Sequence, residues 1–299
     1  MNKSEQGGII DRGYMNKYEF AYEKIKEADN ILLLTHQRPD GDAISSMCTL
    51  TLLLDKLHKK YAAFCYDPPP STFNFLKNVD RITSTSVAIH QDRERGQNST
   101  PTPKDFDLII VLDCGSIYRT GIGEEILNNK KEHQSIIEFD HHPKVEDNGD
   151  LEIRSPEASS TTEILYEFFR ANHINIDKDM ANCILTGILT DTANFLHPTT
   201  TENAINIASH MLLRGASFPK ITKYTWQNKS LNSMKLWGYA LDNLQINKRY
   251  NIAFTVLTRE EIEKHEGDDK TFDAIAGFLS NLNEVKAVLF LREEEKGKI

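Results

Sequence analysis

A short loop of the sequence concentrates side chains that bind metals. The segment THQRPDGDAISS follows the apolar run ILLL and carries His36, Asp40 and Asp42 within seven positions. Carboxylates crowded together are costly unless a positive partner offsets their charge. The loop is therefore a candidate cation site, although Pro-Asp-Gly-Asp by itself is also ordinary turn chemistry.

Two further clusters of the same kind occur later in the chain. Asp113 ends the run LIIVLD, and Asp140, His141 and His142 end the run IIEFDHH. Asp191 follows an apolar helical pattern in ILTDTANF. Each cluster alone fits a simple turn or a helix end. The recurrence of such clusters directly after apolar runs is what favours a shared site.

So many aspartates and histidines exceed what one small cation uses, so the set favours two metals. Magnesium prefers shells made only of oxygen, whereas imidazole mixed with carboxylate suits manganese, iron, cobalt or zinc. Two divalent cations about 3.5 to 4 Å apart promote phosphoryl or acyl hydrolysis, because they acidify a water and stabilise charge on the attacked group. The pattern predicts a two-metal hydrolase.

The elements that must position these side chains alternate along the chain. Apolar runs at 31–34, 108–112 and 136–139 are typical of parallel strands buried on both faces. Helical patterns lie between and after them, at 43–57, 158–172, 177–190 and 201–215. The alternation predicts an α/β fold with a doubly wound, mainly parallel sheet. Because the carboxyl ends of parallel strands share one edge, we expect the clusters to meet there.

The pattern changes near residue 216, which predicts a second domain. A largely helical connector is followed by the strand-like runs NIAFTVL and AVLFLR on either side of a helix. The predicted organisation is a larger domain at 1–215, a helical linker at 216–243, and a smaller, incomplete α+β domain at 244–299.

The composition limits the classes of function. The net charge is −9 and the pI is about 5.6, which argues against a protein that binds long nucleic acid through its phosphates alone. There is no apolar stretch of membrane-spanning length, and the first 20 residues lack a secretory segment, so we expect a soluble, cytoplasmic protein. The four cysteines form no C-x-x-C pair and are expected to be reduced and buried: Cys48, Cys65, Cys114 and Cys183.

Taken together, the motifs resemble the signatures of the DHH phosphoesterase superfamily. THQRPDGDAISS resembles the first signature, VLDCGSIYRTG the second, EFDHHPK the third, and ASSTTEI with GILTDTANF the remaining ones, over roughly residues 20 to 215. Their arrangement most resembles the nanoRNase type. Enzymes of this type trim short oligoribonucleotides, dephosphorylate 3′-phosphoadenosine 5′-phosphate and, in some members, cleave the linear product of cyclic di-AMP.

The resemblance implies two manganese ions, with magnesium or cobalt as alternatives, and assigns roles to individual residues. The implied ligands are His36, Asp40 and Asp113 for one ion, and Asp42, Asp113, His141 and Asp191 for the other. Asp113 would bridge the two ions. Asp140 would orient a histidine, and His142 would face the substrate phosphate as a general acid.

The resemblance also implies substrate contacts, for which simpler explanations exist. The implied contacts are Arg38, Arg119, Ser159, Ser160 and Thr161. Guanidinium groups beside a metal cluster can grip phosphate, but both arginines also fit an ordinary surface. Ser160 with Glu163 fits a helix capping box.

The smaller domain departs from the family pattern. In the family it continues to a G-G-G-H loop that binds the nucleotide end of the substrate, and no G-G-G-H occurs here. We therefore expect an open sheet edge beside AVLFL.

Two other functions remain open. One is hydrolysis of pyrophosphate or polyphosphate, and the other is nucleotide binding without turnover. The resemblance also suggests a homodimer that acts on short RNA or small nucleotides. We expect no membrane partner and no long duplex nucleic acid.

Overall fold

The computed structural model describes residues 16–84, 102–147, 149–267 and 269–294. The start of the chain, where the sequence predicts no secretory segment, lies mostly outside these residues. The chain divides into two compact units, Met1–Thr225 and Trp226–Ile299. The boundary falls within the segment 216–243 that the sequence analysis assigns to a linker.

The larger unit contains a six-stranded parallel sheet flanked by helices. Its strands are β1 Asn30–Thr35, β2 Lys60–Cys65, β3 Ile82–Ser84, β4 Leu108–Leu112, β5 Ser135–Asp140 and β6 Leu151–Arg154. Its helices are α1 Lys17–Glu27, α2 Gly41–Lys56, α3 Gly123–Asn129, α4 Thr161–Ala171, α5 Lys178–Asp191, α6 Glu202–Leu213 and α7 Phe218–Thr225. The strand order is β3-β2-β1-β4-β5-β6, and all neighbouring strands are parallel. This is the doubly wound α/β fold that the sequence predicts.

Burial on both faces of the sheet explains why its central strands read as continuous apolar runs. Along β1, Ile31 and Leu33 join one buried cluster, whereas Leu32 and Leu34 join the cluster on the opposite face. The middle of β1 is therefore apolar at every position from Ile31 to Leu34. The strands that the sequence analysis missed are β2, β3 and β6. Strand β2 is not buried over its first three residues, and β3 and β6 are edge strands only three and four residues long.

Helices α2 and α5 approach each other closely because glycine lies at their interface. A Cβ atom added at Gly41 would lie 2.4 Å from Thr190 Oγ1, and one added at Gly187 would lie 2.4 Å from Asp42 Oδ1. Both distances are far below van der Waals contact. The absence of a side chain at these two positions lets the start of α2 and the end of α5 meet.

The smaller unit is a mixed α+β layer with its own core. It contains α8 Leu231–Asp242, β7 Gln245–Asn247, β8 Ile252–Leu257, α9 Arg259–Lys264, α10 Asp269–Leu279 and β9 Ala287–Arg292. Strand β8 pairs antiparallel with β7 and parallel with β9. Strand β9 is therefore an edge strand of the described sheet, as the sequence predicts for AVLFL. The buried core is small and comprises Leu236, Ala240, Leu257, Phe272, Ile275 and Leu279.

Two further expectations concern the chain as a whole. Within the described ranges, no helix combines the length and apolar character needed to cross a bilayer. All four cysteines are buried free thiols, as predicted from their scattered positions.

Candidate metal centre

The candidate site lies where the strand order reverses, between β1 and β4. The chain runs from β1 to β2 on one side of the sheet and later returns to β4 on the other side, and ligands of open α/β sheets bind in the crevice at such a point. Thr35 pairs with Leu112, so the next residues of these two chains, His36 and Asp113, lie side by side.

The same register extends across the sheet. Leu34 of β1 pairs with Phe64 of β2, and Leu112 of β4 pairs with Phe139 of β5. Counting forward from these pairs gives a line of neighbouring residues at the carboxyl edge, here named the edge row: Tyr66, His36, Asp113 and Asp140. Three of the four carry ligand-type side chains.

The first group of possible ligands joins the loop after β1 to the end of β4. His36 Nε2 lies 3.9 Å from Asp40 Oδ2 and 3.9 Å from Asp113 Oδ2. The other ring nitrogen, Nδ1, lies 2.7 Å from the carbonyl oxygen of Gln37. A neutral imidazole that donates from Nδ1 keeps the Nε2 lone pair for a metal. Asp40 also caps α2, because its side chain accepts a hydrogen bond from Ala43 N at 3.0 Å.

The second group lies on the other side of Asp113. His141 Nε2 is 3.4 Å from Asp113 Oδ1 and 3.3 Å from Asp191 Oδ2. Asp42 offers a carboxylate oxygen within 4.8 Å of the ligand atoms of His141 and Asp191. Asp113 thus lies between two groups that could each hold a cation. The family resemblance implies the first group as it stands and the second group with Asp113 added, and the assignment of ions to these residues stays a prediction.

His142 gives a third possible combination, because its Nδ1 lies 3.5 Å from Asp113 Oδ1. The same nitrogen is closer to Asp140 Oδ1, at 2.8 Å. The shorter contact is a hydrogen bond that fixes the ring. The structure therefore favours Asp140 as the orienting partner of His142, with the imidazole partly exposed above the cluster.

The N-terminus of α4 supports two of the carboxylates. Asp42 Oδ2 accepts from Thr161 N at 2.6 Å, and Asp42 Oδ1 accepts from the backbone N and the hydroxyl of Thr162 at 3.1 and 2.7 Å. The Thr161 hydroxyl donates to Asp113 Oδ1 at 3.0 Å. Free N–H groups and the helix dipole stabilise negative charge at this position. No local sequence pattern indicates this role of Thr162, because its partner lies 120 residues away.

A buried arginine stabilises the turn that contains both histidines. Arg154 donates from Nη2 to Glu138 Oε2 at 2.8 Å, lies 3.1 Å from Asp140 Oδ2 through Nη1, and donates to the carbonyl of His142 at 2.9 Å. Burial raises the pKa of Asp140, but the hydrogen bonds from His142 and the charge of Arg154 outweigh it, so this pKa lies below its usual value. Asp140 is therefore an ionised hydrogen-bond acceptor for His142.

Three carboxylates of the two groups have raised pKa values; in the fourth, Asp40, burial raises the pKa but the hydrogen bond with His36 outweighs it, so that pKa is lowered. Burial raises the pKa of Asp113 well above its usual range, and the charges of Asp42, Asp40 and Asp140 add to the effect. Burial and the nearby Asp42 raise the pKa of Asp191 to about 9. The pKa of Asp42 is also raised, again by burial first. Ionised carboxylates at these positions need a compensating positive charge.

The donor set fits divalent cations. Separations of 3.3 to 3.9 Å between neighbouring ligand atoms lie within twice the metal–ligand distance of about 2.1 Å that small divalent cations prefer. Mixed imidazole and carboxylate ligands suit manganese, iron, cobalt and zinc. The residues present thus fit the divalent metals that the sequence suggests.

The residues implied as substrate contacts fall into two classes. Arg38 and Arg119 are exposed at the rim of the site. Ser159, Ser160 and Thr161 are fully buried with internal hydrogen bonds.

The predicted capping box is only half formed. Ser160 accepts from the backbone of Glu163, but the Glu163 carboxylate binds Ser159 N and Oγ, at 2.8 and 2.7 Å, instead of the backbone of Ser160. The reason is that Glu163 also accepts from Asn203, which draws its carboxylate to the side of the helix.

Comparisons with known proteins agree with the fold. The family model described as "DHH family, N-terminal domain" matches residues 30–188. The bifunctional oligoribonuclease and PAP phosphatase NrnA of Bacillus subtilis is 26% identical over 272 residues, covering 89% of this chain and 79% of that protein. A probable manganese-dependent inorganic pyrophosphatase of Streptococcus thermophilus is 26% identical over 172 residues, covering 57% of this chain and 50% of that protein.

The crystal structure of an exopolyphosphatase-related protein from Bacteroides fragilis superposes with a TM-score of 0.83 at 25% sequence identity. The match covers 93% of this chain and 80% of that one. The family model spans more than half of the 299 residues and includes the loops after β1, β4 and β5. The chain belongs to the DHH family.

Proposed function

We propose that the protein is a manganese-dependent phosphohydrolase of the nanoRNase type. It would cleave short oligoribonucleotides or linear dinucleotides to mononucleotides and remove the 3′-phosphate of 3′-phosphoadenosine 5′-phosphate. The observation that carries the proposal is the convergence of two ligand groups on Asp113. The similarity to NrnA over 89% of the chain supports the choice of substrate class.

The proposed metal ligands follow from the two groups in the site. His36, Asp40 and Asp113 would hold one ion, and Asp42, Asp113, His141 and Asp191 the other. When bound, the pair supplies an acidified water and positive charge for the phosphate oxygens. Manganese is favoured by the mixture of imidazole and carboxylate ligands and by the similarity to a manganese-dependent pyrophosphatase.

The chain's own side chains would handle the proton and the phosphate. With both ring nitrogens protonated, His142 would donate from Nδ1 to the ionised Asp140 and from Nε2 to the leaving-group oxygen, and it would be left as a neutral imidazole. Arg38 and Arg119 at the rim would bind phosphate oxygens, because guanidinium groups form paired hydrogen bonds with phosphate. Ser159, Ser160 and Thr161 would act by positioning carboxylates and the start of α4, since their hydroxyls are already engaged.

The test is release of AMP from linear diadenylate in the presence of manganese. Asp113→Ala should abolish release while the circular dichroism spectrum stays that of the wild type. Turnover by Asp113→Ala at the wild-type rate would contradict the proposed centre. Binding of diadenylate without hydrolysis by the wild type would instead favour a nucleotide-binding module.

Pyrophosphate hydrolysis is the second candidate, favoured by the match to the Streptococcus pyrophosphatase over 57% of this chain. The ligand groups would be the same, and only the substrate would differ. Measuring phosphate release from pyrophosphate beside AMP release from diadenylate, at equal enzyme concentration, separates the two candidates.

A further inference from the structure

Tyr66 lies at the candidate site, but the mechanism proposed above assigns it no role. It follows β2 directly, and in the edge row it is the neighbour of His36 on the side away from Asp113. Adjacent strands of a sheet lie about 4.8 Å apart. Tyr66 is therefore about one strand spacing from the first ligand group, and the residue is 38% exposed.

The Tyr66 ring packs against a glycine that makes room for it. Gly121 has a φ of +78°, in the left-handed region, and a Cβ atom added there would lie 2.6 Å from Tyr66 Cδ2. The same added atom would lie 2.9 Å from Gln37 Nε2. The ring thus lies against the backbone of the turn after β4 and beside the residue that follows His36.

Hydrogen bonds join the three loops around this ring. Gln37 N donates to Arg119 O at 2.7 Å, which links the loop after β1 to the loop after β4. Arg38 N donates to Asp67 Oδ2 at 2.8 Å, which links the loop after β1 to the loop after β2. These links hold Tyr66 and the two exposed arginines on one connected rim. A ring held in place before binding loses little conformational freedom when a ligand stacks on it.

We propose that Tyr66 is a stacking subsite for the base of the nucleotide whose phosphate is bound at the metal centre. The inference rests on the proposed function and assigns to the larger unit part of the affinity for the base of the nucleotide. A phosphate beside His36, with Arg38 and Arg119 nearby, places its ribose and base toward the rim that carries Tyr66. Stacking on an aromatic ring tolerates every base, which suits an enzyme of short RNA.

The direct test is a pair of ligands that differ only in the base. Binding of AMP and of ribose 5-phosphate is measured by calorimetry with manganese present, for the wild type, Tyr66→Ala and Tyr66→Phe. Tyr66→Ala should raise the Kd for AMP about 5-fold or more and leave the Kd for ribose 5-phosphate unchanged. Tyr66→Phe should restore AMP binding, because the phenyl ring still stacks. Phe20→Ala, which removes an exposed aromatic ring of α1 on the β6 side of the sheet, is the matched control.

Kinetics give a second measurement. On linear diadenylate, Tyr66→Ala should raise KM with kcat nearly unchanged, since stacking is the same in ground and transition states. Equal weakening of AMP and ribose 5-phosphate, or no weakening of either, overturns the stacking subsite. If the wild type hydrolyses no nucleotide, the proposed function fails, and the binding comparison still decides the role of Tyr66.

Discussion

Asp113 is the residue on which the site converges. Its carboxylate lies 3.9 Å from His36 Nε2, 3.4 Å from His141 Nε2 and 3.0 Å from the Thr161 hydroxyl. Its φ of 58° turns the chain out of β4 immediately after the strand ends. Aspartate tolerates this left-handed conformation better than most residues. The position therefore combines a candidate metal ligand with an uncommon backbone geometry.

The raised pKa values predict how stability depends on pH. In the unfolded chain these carboxyls titrate near about 4, whereas Asp191 in the fold titrates at about 9 and Asp42 and Asp113 are also raised. At these three positions the metal-free fold binds more protons than the unfolded chain. The three groups therefore contribute stability that is fully present below about pH 4 and is lost as the pH rises toward about 9. We expect the melting temperature of EDTA-treated protein to decrease as the pH rises from 5 to 9.

Manganese should counteract this loss, because the cation replaces the protons. The stabilisation should increase with pH and reach about 2.7 kcal/mol at a metal concentration 100 times the Kd. Differential scanning fluorimetry from pH 5 to pH 9, with EDTA or manganese, measures both effects. Asp191→Asn should flatten the metal-free profile and reduce the gain from manganese. A metal-free melting temperature that rises with pH would contradict the prediction.

Arg154→Gln should destabilise the fold strongly. Its side chain is 8% exposed and compensates Glu138 and Asp140, and removal of one partner of a buried ion pair costs about 3 to 5 kcal/mol. Chemical denaturation measures the loss. The matched control is Arg170→Gln, whose side chain is 69% exposed beside Glu167 and whose loss should cost at most about 1 kcal/mol. Equal effects of the two substitutions would exclude this role for Arg154.

The clustering of the candidate ligands at one edge of the sheet could be predicted from the sequence, whereas the residues that hydrogen-bond to them could not. Asp40, Asp113 and His141 follow apolar strands, so the sheet alone brings them to one edge. The contacts of Thr162 with Asp42, and of Arg154 with Asp140, depend on how α4 and β6 meet the rest of the sheet. Such partners are chosen by tertiary packing and leave no local pattern.

At the scale of elements, the α2–α5 interface predicts a steric test of the site. Gly187→Ala would place a methyl group 2.3 Å from Thr162 Oγ1 and 2.4 Å from Asp42 Oδ1. Asp42 must then move, at a cost of about 1 to 3 kcal/mol for overpacking, and manganese binding should weaken with it. Calorimetric titration with manganese and a thermal melt measure the two effects.

The control is the same substitution in a different helix. Gly238 of α8 has no atom within 4 Å of an added Cβ, so Gly238→Ala should stabilise its helix by up to about 1 kcal/mol without changing manganese binding. Unchanged manganese binding by Gly187→Ala would show that the α2–α5 contact does not control Asp42.

Strands that are buried along almost their whole length could be predicted from the sequence, whereas strands with uneven burial could not. Strands β1 and β4 are covered on both faces and contain unbroken apolar runs, and β5 is interrupted only by Glu138, which is buried against Arg154. Strand β2 is exposed or half-buried over its first three residues, and β6 is half-buried at three of its four. These two strands therefore lack a continuous apolar run, and their pairing depends on neighbours that are distant in sequence.

At the scale of the whole molecule, the two units predict two unfolding transitions. Every proposed metal ligand lies in the larger unit, and in the described part of the smaller unit the buried apolar cluster has six members. Small cores give marginal stability. Differential scanning calorimetry should show a lower transition that manganese does not shift and a higher one that it raises. A single transition that moves as a whole with manganese would contradict independent units.

The edge row forms only when the strands of the larger unit pair in the correct register. Its members come from four separate strands, and a slip of one strand by a single position reverses the faces on which its side chains lie. A misaligned β4 would carry Asp113 away from both histidines while leaving helix content nearly intact. An activity assay would therefore detect a misaligned strand in this molecule, whereas a circular dichroism spectrum would change little.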